Sequence, residues 1–261
     1  MKNKANNELA VCGWAAVKAL ASENGDAIMR LYFTRERARE LGAICKAMAA
    51  RKAPYNLVED EKELEKLSGT VHHQGAVAMI KTPVIPALTS REIEKWSESA
   101  QSAVLLDRVG NANNLGAIVR SAAFFGIKNI VLPLDEAQSS ITTSSYRVAQ
   151  GGMEKVHFYS VSSLDSIPRL LKDAAGKLVR IGTALDAKQS ARDIASFKGK
   201  RGALIVLGNE ENGISDAVKA ECDHLVIIPY FGMESGLEPP VESLNVAQAA
   251  SVIFYECCKK I

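Results

Sequence analysis

Six short apolar runs recur between residues 104 and 229 of this 261-residue chain: Val104–Asp107, Asn129–Leu132, Lys155–Val161, Leu178–Ala184, Ala203–Leu207 and His224–Pro229. Most are separated by stretches long enough for a helix, including Leu115–Gly126, Ser163–Ala175 and Leu244–Lys259. Strands that are apolar along nearly their whole length need cover on both faces. Helices in the intervals supply it, so the pattern predicts an α/β fold with a mostly parallel sheet. In such a sheet the ligand crevice lies outside the carboxyl ends of the strands.

The first half reads as a separate, smaller α/β unit. Between Leu9 and Lys81 the pattern predicts a helix at Val11–Ser22, a strand at Ile28–Phe33 and a helix at Arg35–Arg51, then a strand at Tyr55–Val58, a short charged helix at Glu61–Leu67 and a strand at Ala76–Ile80. Thr82-Pro83-Val84-Ile85-Pro86 interrupts this alternation. Its prolines lack backbone donors and bias the preceding residues to extended geometry, so a linker is expected through to about Ser99. The expected organisation is a domain over 1–82, a linker over 83–98 and a larger domain over 99–261.

Composition narrows the function classes. The apolar fraction of 47% and charged fraction of 24% suit a globular protein. A net charge of +2 means that a nucleic-acid partner has to be met by a local patch. One candidate is Arg30, Arg35, Arg37, Arg39, Lys46, Arg51 and Lys52, set against only Glu36 and Glu40. A solvated helix face and an RNA contact both fit that cluster. Five cysteines without CxxC spacing, with Cys257 and Cys258 adjacent, form neither a disulfide framework nor a zinc site, and a reducing cytoplasm fits them. His72 and His73 enter a strand side by side and point to opposite faces, so no metal site is expected. No apolar run reaches the roughly 18 residues of a membrane helix, and neither a leader nor a membrane partner is expected.

Three segments at the ends of apolar strands carry candidate chemistry. In the first, Leu105-Leu106-Asp107 gives way to Asn111-Ala112-Asn113-Asn114-Leu115-Gly116, and a helix starting near Leu115 continues through Arg120. Free N–H groups at that helix start welcome anions; Asn114 there reads equally as a plain N-cap. In the second, the strand Ala203–Leu207 runs into Gly208-Asn209-Glu210-Glu211-Asn212-Gly213. Glycine at both ends suits either a tight turn or close approach of a ligand, and the spacing is not the dinucleotide fingerprint. In the third, Ile228-Pro229 leads through a Gly/Pro-rich loop, Tyr230–Glu242, to Ser243-Leu244-Asn245, with Ser243 a natural N-cap for the last helix.

In this order the three segments resemble the signature motifs of the SpoU/TrmH family of RNA ribose 2'-O-methyltransferases, within the SPOUT superfamily. The resemblance covers about Val104–Glu256. Leu9–Lys81 is similar to the family's small RNA-binding extension, a ribosomal-protein-like α/β domain, notably at Gly13 and at His73-Gln74-Gly75. The resemblance implies a parallel-sheet fold with a deep trefoil knot and a homodimer whose active site lies at the interface. It also implies S-adenosyl-L-methionine bound by Leu207, Gly208, Asn209, Gly213, Ile228, Pro229 and Leu244. Asn114 and Arg120 match the first motif, Glu210 the second, and Ser243 and Asn245 the third, as catalytic candidates. Arg35, Arg39, His73, Gln74 and Arg147 are candidates for RNA contact, with rRNA or tRNA as the partner.

Methyl transfer from an activated donor needs in-line positioning and removal of the hydroxyl proton. A guanidinium hardly ever gives up its proton, so Arg120 is expected to clamp a neighbouring phosphate and stabilise the developing alkoxide, with Glu210 orienting Arg120 or Asn114. One departure from the family is the longer stretch Phe231–Pro240 between Ile-Pro and Ser-Leu-Asn, a loop that adds acidic Glu234, Glu238 and Glu242. That departure keeps open a second reading, a catalytically inactive RNA-binding or assembly protein on the same fold.

Overall fold

The computed structural model describes residues 2–3, 7–210, 212–232 and 240–259. Two compact units divide the chain, one of 1–84 and 140–155, the other of 85–139 and 156–261.

In the first unit the elements are β1 (Lys2–Asn3), β2 (Glu8–Cys12), α1 (Trp14–Asn24), β3 (Ile28–Thr34), α2 (Gly42–Ala50), β4 (Tyr55–Val58), α3 (Glu61–Ser68) and β5 (Ala76–Lys81). They build a five-stranded sheet in the order β1-β2-β5-β3-β4, with β2 and β3 antiparallel to β5. The expected helix at Val11–Ser22 starts three residues late. Leu9 to Cys12 is wholly buried and pairs with β5, and Gly13, at φ 95, makes the break that lets α1 begin. Residues 35–41 turn before α2 instead of continuing a helix from Arg35. Asp60 caps α3 by accepting from Lys62 N at 2.9 Å, and Gly69, left-handed at φ 70, ends it.

The second unit opens with α4 (Ser90–Glu98), which occupies most of the stretch read as a linker. Its Ile93 and Trp96 are buried in the main core, Trp96 edge-on to Tyr159 with ring centroids 5.2 Å apart. Next come β6 (Ala103–Leu106), α5 (Ala112–Phe124), β7 (Asn129–Pro133), α6 (Thr143–Ala149), β8 (His157–Val161), α7 (Ile167–Ala174), β9 (Val179–Thr183), β10 (Gln189–Ser190), α8 (Ile194–Lys198), β11 (Ala203–Leu207), α9 (Asp216–Lys219), β12 (His224–Ile227) and α10 (Val246–Cys258). Of these α6 belongs to the first unit.

All pairings in the second sheet are parallel, in the order β10-β12-β9-β11-β6-β7-β8. Every expected apolar run is a strand, and β10 adds a short edge. The central strands β11, β6 and β7 are buried at every residue, because helices cover both faces. On α7, Ile167, Leu170, Leu171 and Ala174 fall on one face and are buried, as the 3.6-residue period requires. β11 and β6 pair in register to their ends, Leu207 opposite Leu106, so the first two motif segments leave neighbouring strands at one level.

Candidate active site

Glu210 is where the three motif segments meet. Its Oε1 accepts from Asn114 Nδ2 at 2.8 Å, from Asn245 Nδ2 at 2.5 Å and from Val246 N at 3.2 Å. Asn245 Nδ2 also donates to Asn114 Oδ1 at 3.1 Å. The carboxylate thus sits at the start of α10, where unpaired N–H groups and the helix dipole favour negative charge.

The capping pattern differs from the expected one at both helices. Asn111, not Asn114, caps α5, accepting from Asn113 N at 2.8 Å, which leaves the Asn114 amide free to reach Glu210. α10 starts at Val246, so its cap is Asn245, whose Oδ1 accepts from Ala247 N at 2.9 Å. Ser243 stands two residues too early to cap it, and it and Leu244 are exposed.

The second-motif loop is pinned from below. Asn209 N donates to Gly213 O at 3.2 Å, and Gly213 N returns a bond to Asn209 O at 2.9 Å. Gly208 packs so tightly beneath this turn that a Cβ there would lie 2.2 Å from the Gly213 carbonyl carbon; Gly213 itself needs its positive φ of 60. Asp107, 2% exposed, pairs with Arg108 Nε at 3.0 Å and accepts from Ser215 N at 3.2 Å. Arg108 in turn donates to Gly213 O at 3.2 Å, and its own carbonyl accepts from Asn209 Nδ2 at 3.1 Å. Asp107 and Arg108 had no expected role; a buried-type strand ending in an adjacent acid and base was the available signal.

Ile228 and Pro229 follow β12, and β9 lies between β12 and β11. The two expected walls of the cofactor cup therefore stand two strand spacings apart, about 10 Å. The carboxyl end of β9, at Thr183, lies between them, a position that sequence reasoning left out. These strand ends bring Gly208 and half-buried Ile228 and Pro229 to the same end of the sheet, the Leu207 carbonyl being held by Asp107 N at 2.8 Å, and none of these positions carries a cation. An adenosyl group fits such a lining. Glu211, Glu234 and Glu238 lie outside the described residues.

Arg120 is not part of the Glu210 cluster. It is exposed on α5, six residues beyond Asn114, about 9 Å along the axis and on a different face, and has no hydrogen-bond or ion-pair partner among the described residues. Glu210 therefore orients Asn114 and not Arg120.

In the first unit Arg35 and Arg39 are exposed and unpaired among the described residues, whereas Arg37 stacks over Trp14 at 4.9 Å and donates to Gln74 O at 3.1 Å. Arg30 pairs with Glu8, and Arg51 is spent on the carbonyls of Gly25, Asp26 and Ile28. His73 corrects an expectation: it is 2% exposed and its Nδ1 accepts from Gly75 N at 3.1 Å, so its ring shapes the turn and reaches no surface. Gln74 is exposed, at φ 54, and its Oε1 accepts from Trp14 N at 2.8 Å. Arg147 is half-buried on α6, within the first unit.

Both halves match known families. The SpoU rRNA Methylase family model covers residues 101–255, and the RNA 2'-O ribose methyltransferase substrate-binding model covers 10–86. The chain belongs to the SpoU rRNA methylase family. Among its relatives, the 23S rRNA (guanosine-2'-O-)-methyltransferase RlmB of Acinetobacter baylyi is 35% identical over 200 residues, covering 76% of this chain and 75% of the relative. RlmB of Ralstonia nicotianae is 32% identical over 250 residues, covering 95% and 94%. The fold is shared with the SpoU methyltransferase AviRb of Streptomyces viridochromogenes, solved in complex with AdoMet, at TM-score 0.70 and 24% identity over 98% of this chain and 91% of that one.

Proposed function

We propose that this protein transfers a methyl group from S-adenosylmethionine to a ribose 2'-hydroxyl of ribosomal RNA, guanosine being the first nucleotide to test. The observation that carries the reading is the Glu210 cluster, which ties all three motif segments together at the carboxyl ends of β6 and β11.

When bound, S-adenosylmethionine supplies an activated methyl. Leu207, Gly208, Asn209, Gly213, Ile228, Pro229 and Leu244 would hold it, largely through backbone groups. Asn114, Asn245 and Glu210 fix the loops around it. Arg120 clamps a substrate phosphate and steadies the developing alkoxide, while a phosphate oxygen or water takes the proton. Ser243 supports the third loop at its exposed end.

Arg120 shares a helix face with Phe124, four residues on, and Phe124 is 82% exposed. Val252 and Tyr255 on α10 add exposed apolar surface. This supports a homodimer through α5 and α10, with Arg120 delivered to the crevice of a second copy. The trefoil knot belongs to the same reading, its loops being those that match Leu207–Gly213 and Ile228–Leu244. Arg35, Arg39, Gln74 and Arg147 are the proposed RNA contacts of the first unit.

The deciding experiment maps ribose methylation in ribosomal and transfer RNA from cells with and without the gene, with the purified protein restoring any missing mark in vitro. A map that does not change, with no methyl transfer in vitro, ends this reading in favour of the binding-only protein.

A further inference from the structure

The second unit has an open groove that the methyl-transfer site does not use. Its volume is about 980 Å³, and its walls are the segments entering β6, β7 and β11 with the last turn of α10. It lies at the amino ends of the strands, opposite the motif loops; a five-residue strand such as β11 separates the two ends by about 17 Å.

Four lysines line this groove, Lys128, Lys198, Lys200 and Lys259, and among the described residues no carboxylate does. In a chain with 32 cationic and 30 anionic side chains, that is a local excess. Lys128 and Lys200 are exposed and have no partner among the described residues. Lys198 Nζ reaches only backbone carbonyls, those of Arg201 at 3.3 Å and Gly199 at 3.4 Å, while Lys259 is paired with Glu256 at 2.7 Å. The exposed Cys258 thiol is drawn down to about 7, chiefly by a hydrogen bond from Cys257, with the charge of Lys198 adding to it. Phe125 gives the wall an aromatic surface.

We propose that this groove holds a stretch of RNA backbone while the ribose to be methylated lies at the other end of the sheet. Lysines from three chain segments around an open groove act as separate point charges, which suits successive phosphates better than one small anion. The inference rests on the RNA-methylation reading and adds a second contact to it.

The test compares the whole protein with a Lys128→Gln/Lys200→Gln variant, using transcribed 23S rRNA and a salt series. Two lost phosphate contacts should lower the slope of log affinity against log salt by about 1.4 to 1.8 and weaken binding on the order of 10-fold near physiological salt. S-adenosylmethionine affinity should not move, which shows that the variant is folded. In the unaltered protein the same RNA should slow alkylation of Cys258 by N-ethylmaleimide several-fold. An unchanged salt slope, or equal alkylation with and without RNA, overturns the groove assignment alone. A change in oligomeric state with RNA affinity intact overturns it in favour of a protein contact. No RNA binding by the unaltered protein sinks both the groove and the reading beneath it.

Discussion

Asn114 and Glu210 stand 96 residues apart in the chain and are joined by a 2.8 Å hydrogen bond from Nδ2 to Oε1. Through it the helix that follows β6 and the loop that follows β11 hold each other in place, and Asn245 closes the triangle from a third direction.

Replacing Glu210 by alanine removes the acceptor for three donors at once. Hydrogen bonds to charged groups contribute about 1.5–3 kcal/mol each, less where solvent competes, so turnover should fall about 100-fold or more. Glu210→Gln retains an acceptor and should recover part of it. Labelled methyl transfer measures both; equal activity for all three proteins would remove Glu210 from the machinery.

Arg120 has no hydrogen-bond or ion-pair partner among the described residues. Arg120→Ala should leave stability within about 0.5 kcal/mol of the parent and cofactor affinity within about twofold, while methyl transfer falls below detection. Turnover at the parental level would refute the phosphate-clamp role.

Gly208 has no room for a side chain. In Gly208→Ala the new methyl meets the Gly213 carbonyl carbon at 2.2 Å, so the 208–213 turn has to move. Calorimetry should show S-adenosylmethionine affinity reduced at least about tenfold, since overpacking of this kind costs about 1–3 kcal/mol. Normal affinity would place the cofactor elsewhere.

Asp107 is the buried tether of the same loop. Asp107→Ala leaves the Arg108 guanidinium and Ser215 N–H without their acceptor and should cost about 2–4 kcal/mol in urea unfolding. A loss below about 0.5 kcal/mol would mean that the loop is held by its backbone bonds alone.

The Arg180 guanidinium, at 2.5 Å, holds the Asp223 carboxyl below the usual aspartate range. A depressed folded-state pKa stabilises the protein above the unfolded value near 3.9, and this contribution is lost as pH falls through the folded value. Asp223→Asn should therefore lower the urea midpoint at neutral pH and shrink the gap to the parent below about pH 4. A gap that stays constant from pH 7 to 3 would contradict the assignment.

The second sheet was legible because its strands are apolar without interruption, a signal local to each run. Ala203–Leu207 and His224–Pro229 needed no distant partner to be recognised. The site was legible only in part. Asn114, Glu210 and Asn245 stood out through the resemblance, but their mutual bonds join residues 35 to 131 apart and no local pattern encodes them. The cap of α10 was misplaced because Ser243 and Asn245 are equally good capping residues; what decides is where α10 packs on α5, seen in the Ser121–Ser251 hydroxyl pair at 2.7 Å. His73 looked like a surface ligand because nothing in its sequence neighbourhood reveals burial.

Residues 140–155 lie far along the chain inside the methylase family match, yet fold with the first unit, where Tyr146 and Met153 are buried beside β2 and α1. A cut after residue 84 would therefore strip that unit of part of its own interior and leave apolar side chains bare on the other fragment. The two family matches in this protein do not correspond to detachable modules, and a graft exchanging the first unit with a relative's would have to carry two pieces of chain.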